Sequence, residues 1–105
     1  MPRGVVLRRL PDFRGYKVAL VDGERIRGCP GKRAIDTDFT MGGNFARYGY
    51  IPSGWLWVDR NLSTLDREAT LRHEADETDD MLKGMSYDKA HDRAAASERK
   101  YRAHR

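Results

Sequence analysis

The chain contains one cysteine and four prolines, and nowhere an apolar run approaching the roughly 18 residues that a membrane-spanning helix requires. With a single thiol, Cys29 in "RGCPGK", no internal disulfide can form. That suits a reducing compartment, and the residue reads as a small side chain in a Pro-Gly turn. The opening "MPRGVVLRRLPDF" is interrupted by Arg and Pro where a secretory leader is apolar, so the sequence predicts an unprocessed, cytoplasmic chain with no membrane partner. Hydrophobic residues make up only 39%, below the usual share, while charged residues reach 34%. At 105 residues there is room for one modest core and not for two. Two Trp, five Tyr and three Phe are enough to build it, which argues against a disordered chain.

The net charge of +4 conceals a partition along the chain. Residues 1–60 carry 11 basic and 6 acidic side chains, residues 61–92 carry 4 and 9, and residues 93–105 carry 5 and 1. Carboxylates at the density of the middle block repel one another unless they face water or share a cation. That block therefore needs a metal test.

The first sixty residues have the composition of strands and turns. "GVVLRRL" and "YKVALVDGERIRG" are rich in β-branched and apolar residues, and Asp22-Gly23 is a hairpin turn signal, predicting a two-stranded ribbon with Arg8, Arg9, Arg25 and Arg27 mostly solvated. The Gly/Pro/Lys loop "GCPGKR" separates it from "TDFTMGGNFARYGY", a strand-like run in which Gly42-Gly43 suggests a bulge or bend. "GWLWVDR" alternates Trp55, Trp57 and Asp59 against Leu56 and Val58, the pattern of a short strand with an aromatic face.

Beyond residue 60 the period changes to that of helices. Ser63 and Asp66 form a capping-box-like start for a helix from about residue 64. At about 100° per residue, Leu71, Ala75, Thr78 and Leu82 share a core stripe, with Glu68, Arg72, Asp76 and Asp79 on a solvent stripe beside it. Gly84 supplies a stop, and Ser86 starts a second helix through "YDKAHDRAAASERKYR".

The segment "LRHEADETDDMLKGMSYDKAHDRAAASE" places His73 and Glu77 four apart, on one helical face, where two ligands can close on one ion. Glu74 projects about 100° further round, positioned to act on a water as general base, as on a zinc-peptidase helix. Glu77 lies seven residues before Gly84 and His91 seven after it, so in an antiparallel hairpin both sit about 10 Å from the turn and level with each other. Ala90, Ala94 and Ala95 allow the helices to approach closely, and Glu98, on the face of His91, can orient its imidazole or ligate. The plainer alternative is an interhelical histidine bonded to a carboxylate, with Asp76, Asp79 and Asp80 as a solvated face.

"WLWVDR", then "LRHEADE", then "LKGMSYDKAHDRAAASE" resembles a group of short phage and bacterial proteins that have a strand ending in Asp-Arg, an HExxE helix and a Gly-x-x-Tyr-x-x-Ala-His stretch closing in Glu. The likeness covers about residues 55–98. It implies a zincin-like layout, with His73, Glu77 and His91 as metal ligands, Glu74 as base, and Glu98 and Asp59 as supporting groups. This chain departs from the pattern at Asp76, where members tend to have an apolar residue, and in a short link from Asp59 to His73.

Together these features predict one α+β domain: a small N-terminal antiparallel sheet of three to four strands packed on a C-terminal antiparallel helical hairpin, minimal and zincin-like. The expected function is that of a metal-dependent hydrolase of phage or prophage type, a peptidase or amidase acting on a peptide or amide-linked substrate. Zinc is the expected metal, with manganese or iron as alternatives. The competing expectation is a non-catalytic phage module that binds protein or nucleic acid, with a structural, degenerate or absent metal site and possible association with a virion. There Arg99, Lys100 and Arg102 of the basic tail would contact phosphates, and Trp55 and Trp57 could stack bases if they do not face the core.

Overall fold

The computed structural model describes residues 4–28 and 34–104. Strand β1 (Val6–Phe13) returns antiparallel as β2 (Tyr16–Val21), and the hairpin closes at Arg14 and Gly15. Both have positive φ, 50° and 83°, as a two-residue turn matching the strand twist requires. Asp22-Gly23 is therefore not the hairpin turn. Asp22 instead caps a short helix, α1 (Gly23–Arg27), its carboxylate accepting from Arg25 N at 3.3 Å. The arginines there are not simply solvated: Arg25 donates to the Gly4 carbonyl, and Arg27 to those of Phe39 and Thr40.

Of the strand-like run before residue 50, only β3 (Gly42–Asn44) is a strand. The following residues turn back on it, with Tyr48 N bonded to Asn44 O and Ile51 N to Tyr48 O. Strand β4 (Trp55–Asp59) enters between β2 and β3, giving the order β1-β2-β4-β3. It runs antiparallel to β3 but parallel to β2, so the sheet is mixed rather than wholly antiparallel. A parallel neighbour requires a crossover, and the chain between β2 and β4 supplies it.

That crossover covers one face of the sheet. Ile26, Phe39 and Ile51 pack there on Ala19, Val21 and Trp57, and Trp57 is fully buried. Trp55, on the same face, is half-buried beneath Arg9 and Lys17. The other face holds Val18, Leu20, Leu56 and Val58 against Leu71 and Ala75 of α2 (Thr64–Leu82). Coverage on both faces explains why residues 18–21 of β2 and 55–58 of β4 are apolar without a break.

Helix α2 starts where the cap predicted, with the Ser63 hydroxyl accepting from Asp66 N at 3.1 Å. It stops in a Schellman motif: Gly84 has φ 97°, Gly84 N bonds Met81 O, and Met85 N bonds Asp80 O. Helix α3 (Tyr87–Ala103) follows, capped by Ser86, and packs on α2 through the buried Ala90 and Ala94. Leu82 departs from the expected stripe. It is 59% exposed, because no residue of α2 beyond Thr78 is buried. Cys29 and residues 30–33 lie outside the described residues.

Strand β3 lies unusually close to α2. A Cβ on Gly42 would come within 2.7 Å of both Thr70 Cγ2 and the Trp57 carbonyl oxygen. Gly42→Ala is therefore expected to destabilise the protein by about 1–3 kcal/mol in a denaturant titration. Gly49→Ala, where an added Cβ meets nothing within 4 Å, should change stability by no more than about 0.5 kcal/mol. Equal effects at the two positions would show that the close approach is not a constraint.

Candidate metal centre

The inner face of α2 carries two carboxylates at its middle, Glu74 at 8% and Glu77 at 2% exposure. Buried carboxylates are unfavourable unless they are hydrogen-bonded or paired. Asn44 of β3, itself fully buried, supplies part of the compensation. Its Oδ1 accepts from Arg47 N at 2.9 Å, which turns its amide nitrogen towards Glu74 Oε1 at 3.0 Å and Glu77 Oε1 at 3.1 Å.

The second oxygen of Glu77 faces two imidazoles. His73 Nε2 lies 3.2 Å from Oε2, and His91 Nδ1 lies 3.0 Å from it. One ligand atom from each of the three residues falls within 4.8 Å of the others. Tetrahedral coordination with bonds near 2.0–2.1 Å sets ligand atoms about 3.3 Å apart, so small side-chain adjustments would close the three on one ion. Two imidazoles and one carboxylate form a donor set suited to a zinc site that keeps a position for water. The side chains present fit a divalent cation.

A supporting chain extends away from this cluster. His73 Nδ1 lies 2.9 Å from Glu98 Oε1, although the contact is poorly aligned and leaves this buried nitrogen without a hydrogen bond. Arg102 in turn donates to Glu98 at 2.8 Å and to Asp66 at 2.8 Å, tying the last turn of α3 to the first turn of α2. A carboxylate on the far nitrogen of a ligating histidine fixes the ring and its tautomer. The site opens to solvent on the His91 side: that imidazole is 46% exposed, against 12% for His73. It forms part of a cleft of about 160 Å³ whose wall also includes Gly42, Tyr48, Glu74 and Tyr87.

The cluster shapes its own titration. Burial, and then the neighbouring charge of Glu77, push the Glu74 carboxyl up to about 7. Burial by itself would raise Glu77, but its bonds to His73 and His91 outweigh this and hold it below the usual carboxylate range. Burial by itself would lower His73, yet the hydrogen bond with Glu77 and the charges of Glu74, Glu77 and Glu98 leave it above the ordinary imidazole value.

His73, Glu77 and His91 are thus brought together as the helical spacing implied, and Glu74 shares their cleft. Glu98 is also close, but it meets His73 rather than His91. Asp59 is not part of the cluster. It accepts from the backbone of Gly23 and Asn61 and pairs with Arg27, which places it at the start of α1. Arg102 pairs with two carboxylates, whereas Arg99 and Lys100 are exposed. The burial of Trp57 removes it from any base-stacking surface. Sequence reasoning missed Asn44, which had no signal beyond its place in "GGN". It missed the role of Arg102 as well, for which the Glu98 four residues earlier was a readable cue.

Compared with protein-family models, with curated proteins and with solved structures, the chain has no match. The fold and the cluster define it as a small α+β domain with a His-Glu-His group able to hold a metal.

The raised Glu74 pKa carries a stability consequence for the chelator-treated protein. Because the folded value of about 7 exceeds the ordinary 4.5, the folded state holds this proton more tightly, and stability should fall as pH rises from about 4.5 through 7. The loss attributable to Glu74 is about 3 kcal/mol. Glu74→Gln, which mimics the protonated acid, should flatten the profile between pH 5 and 7.5, read by urea melts at each pH. An unchanged slope would remove Glu74 as its source.

Proposed function

We propose that this protein is a metal-dependent hydrolase acting on amide bonds, a peptidase or amidase. The observation that carries this reading is the convergence of His73, Glu77 and His91 within 4.8 Å, in a cleft that Glu74 also lines. Zinc suits the mixed imidazole and carboxylate donors, and manganese or iron can use the same set. A divalent cation held there supplies Lewis acidity towards a water and an amide carbonyl.

The remaining chemistry belongs to side chains of this chain. Glu74, as carboxylate, takes a proton from the attacking water as its oxygen bonds to the carbonyl carbon. The same group returns the proton to the amine nitrogen as the C–N bond breaks. Positive charge beside Glu74 favours its ionised form, so a cation prepares the base. Asn44 holds Glu74 and Glu77 through one amide and fixes their separation. Glu98, steadied by Arg102, stands 2.9 Å from the far nitrogen of His73, where a small rotation of either side chain would let it hold the ring.

Protein purified without chelator or nickel affinity resin should contain about one zinc, manganese or iron per chain, and His91→Ala should lose most of it. Against a pool of short peptides and amide-linked cell-wall fragments, Glu74→Gln should retain the metal and the fold while turnover falls by about 10²-fold or more. Turnover that survives this substitution unchanged would exclude Glu74 as the base. Absence of bound metal would remove the hydrolase reading altogether.

A further inference from the structure

One cation stands at the rim of the cleft without an acidic partner. Arg47 is exposed, and among the described residues no carboxylate forms an ion pair with it, in contrast to Arg27, Arg60 and Arg102. Its guanidinium lies over two rings of the cleft wall, 4.2 Å from the centre of Tyr87 and 5.3 Å from that of Tyr48. Its backbone is fixed by Asn44, the residue that also holds Glu74 and Glu77. This charge is therefore kept in place by rings and backbone rather than by an opposing charge. A guanidinium has five N–H donors, so beside its hydrogen bond with Tyr87 it keeps donors that can meet a carboxylate.

Distance and charge then define what it can hold. The Tyr87 ring lies 5.5 Å from the His91 ring and 4.2 Å from the guanidinium carbon, so Arg47 stands within about 10 Å of the centre of the His91 ring. Successive residues of a peptide are about 3.8 Å apart, so a carboxylate one or two residues beyond an amide bond at the cluster reaches Arg47. The inner cleft carries Glu74, Glu77 and Glu98, whose charge disfavours an anionic group except at the metal and at this rim.

We propose that Arg47 is the specificity-determining residue of this cleft and anchors a substrate carboxylate one or two residues beyond the bond cleaved. This assignment rests on the hydrolase reading given above. The carboxylate comes either from the chain terminus or from an acidic side chain at the same place, and the two sources are separable.

The test uses the full-length, zinc-loaded protein and three probes: N-acetyl-Ala-Ala, its C-terminal amide, and N-acetyl-Ala-Asp amide, with binding followed by NMR titration. The free acid should bind at least tenfold more tightly than the Ala-Ala amide. Arg47→Gln should abolish that difference and Arg47→Lys should keep part of it, with zinc content and melting temperature unchanged in both. The variants are essential because the metal itself attracts carboxylates. Tight binding of the Asp amide would support the anchor while assigning the carboxylate to a side chain. Equal binding of acid and amide by the parent, binding of neither, or a preference that persists in Arg47→Gln overturns the proposal and leaves the metal site intact. Failure to take up zinc overturns the hydrolase reading and this assignment with it.

Discussion

Two carboxylates on the buried face of one helix are the constraint around which this small protein is arranged. Glu74 and Glu77 occupy positions where α2 would ordinarily present apolar side chains to the sheet, and neither can ionise there without compensation. Each neighbour supplies a share of it. Asn44 donates to both, His73 and His91 share the second oxygen of Glu77, and Glu74 reduces the remaining repulsion by favouring its neutral form. Without a cation, the cluster is a set of compromises among protons. A cation held there would take the three facing groups as ligands and relieve the repulsion of like charges.

The sheet topology places the compensating groups where they are needed. Because β4 pairs parallel with β2, β3 is displaced to the edge of the sheet, where it meets α2. The missing side chain of Gly42 lets that edge approach the helix, and Asn44, two residues later, reaches both carboxylates. Arg47 follows on the turn that Asn44 closes. A segment of little regular structure thus contributes a hydrogen-bond donor to the site and a cation to its rim.

The helical hairpin contributes stiffness of a different kind. The Asp66–Arg102–Glu98 contacts join the open ends of α2 and α3, and the Schellman turn at Gly84 joins the other. Surface ion pairs of this sort contribute little stability individually. Their effect here is positional, since Glu98 is the group in reach of the buried Nδ1 of His73.

What the sequence determined by itself was local. The caps at Ser63 and Ser86 and the stop at Gly84 fix the two helices, because capping chemistry acts within one turn. Equal spacing of Glu77 and His91 about that stop then brings them level, so the cluster is legible in the sequence. Tertiary structure decided whatever depends on partners distant in the chain. Asp22-Gly23 is compatible with a turn or a cap, and the parallel pairing of β4 with β2 required a crossover there, so Asp22 became a cap. Glu98 was assigned to His91 from its own helix, whereas the helix crossing delivers it to His73. Asn44 carries no local cue, because its role exists only once β3 lies against α2 and two buried carboxylates need a donor.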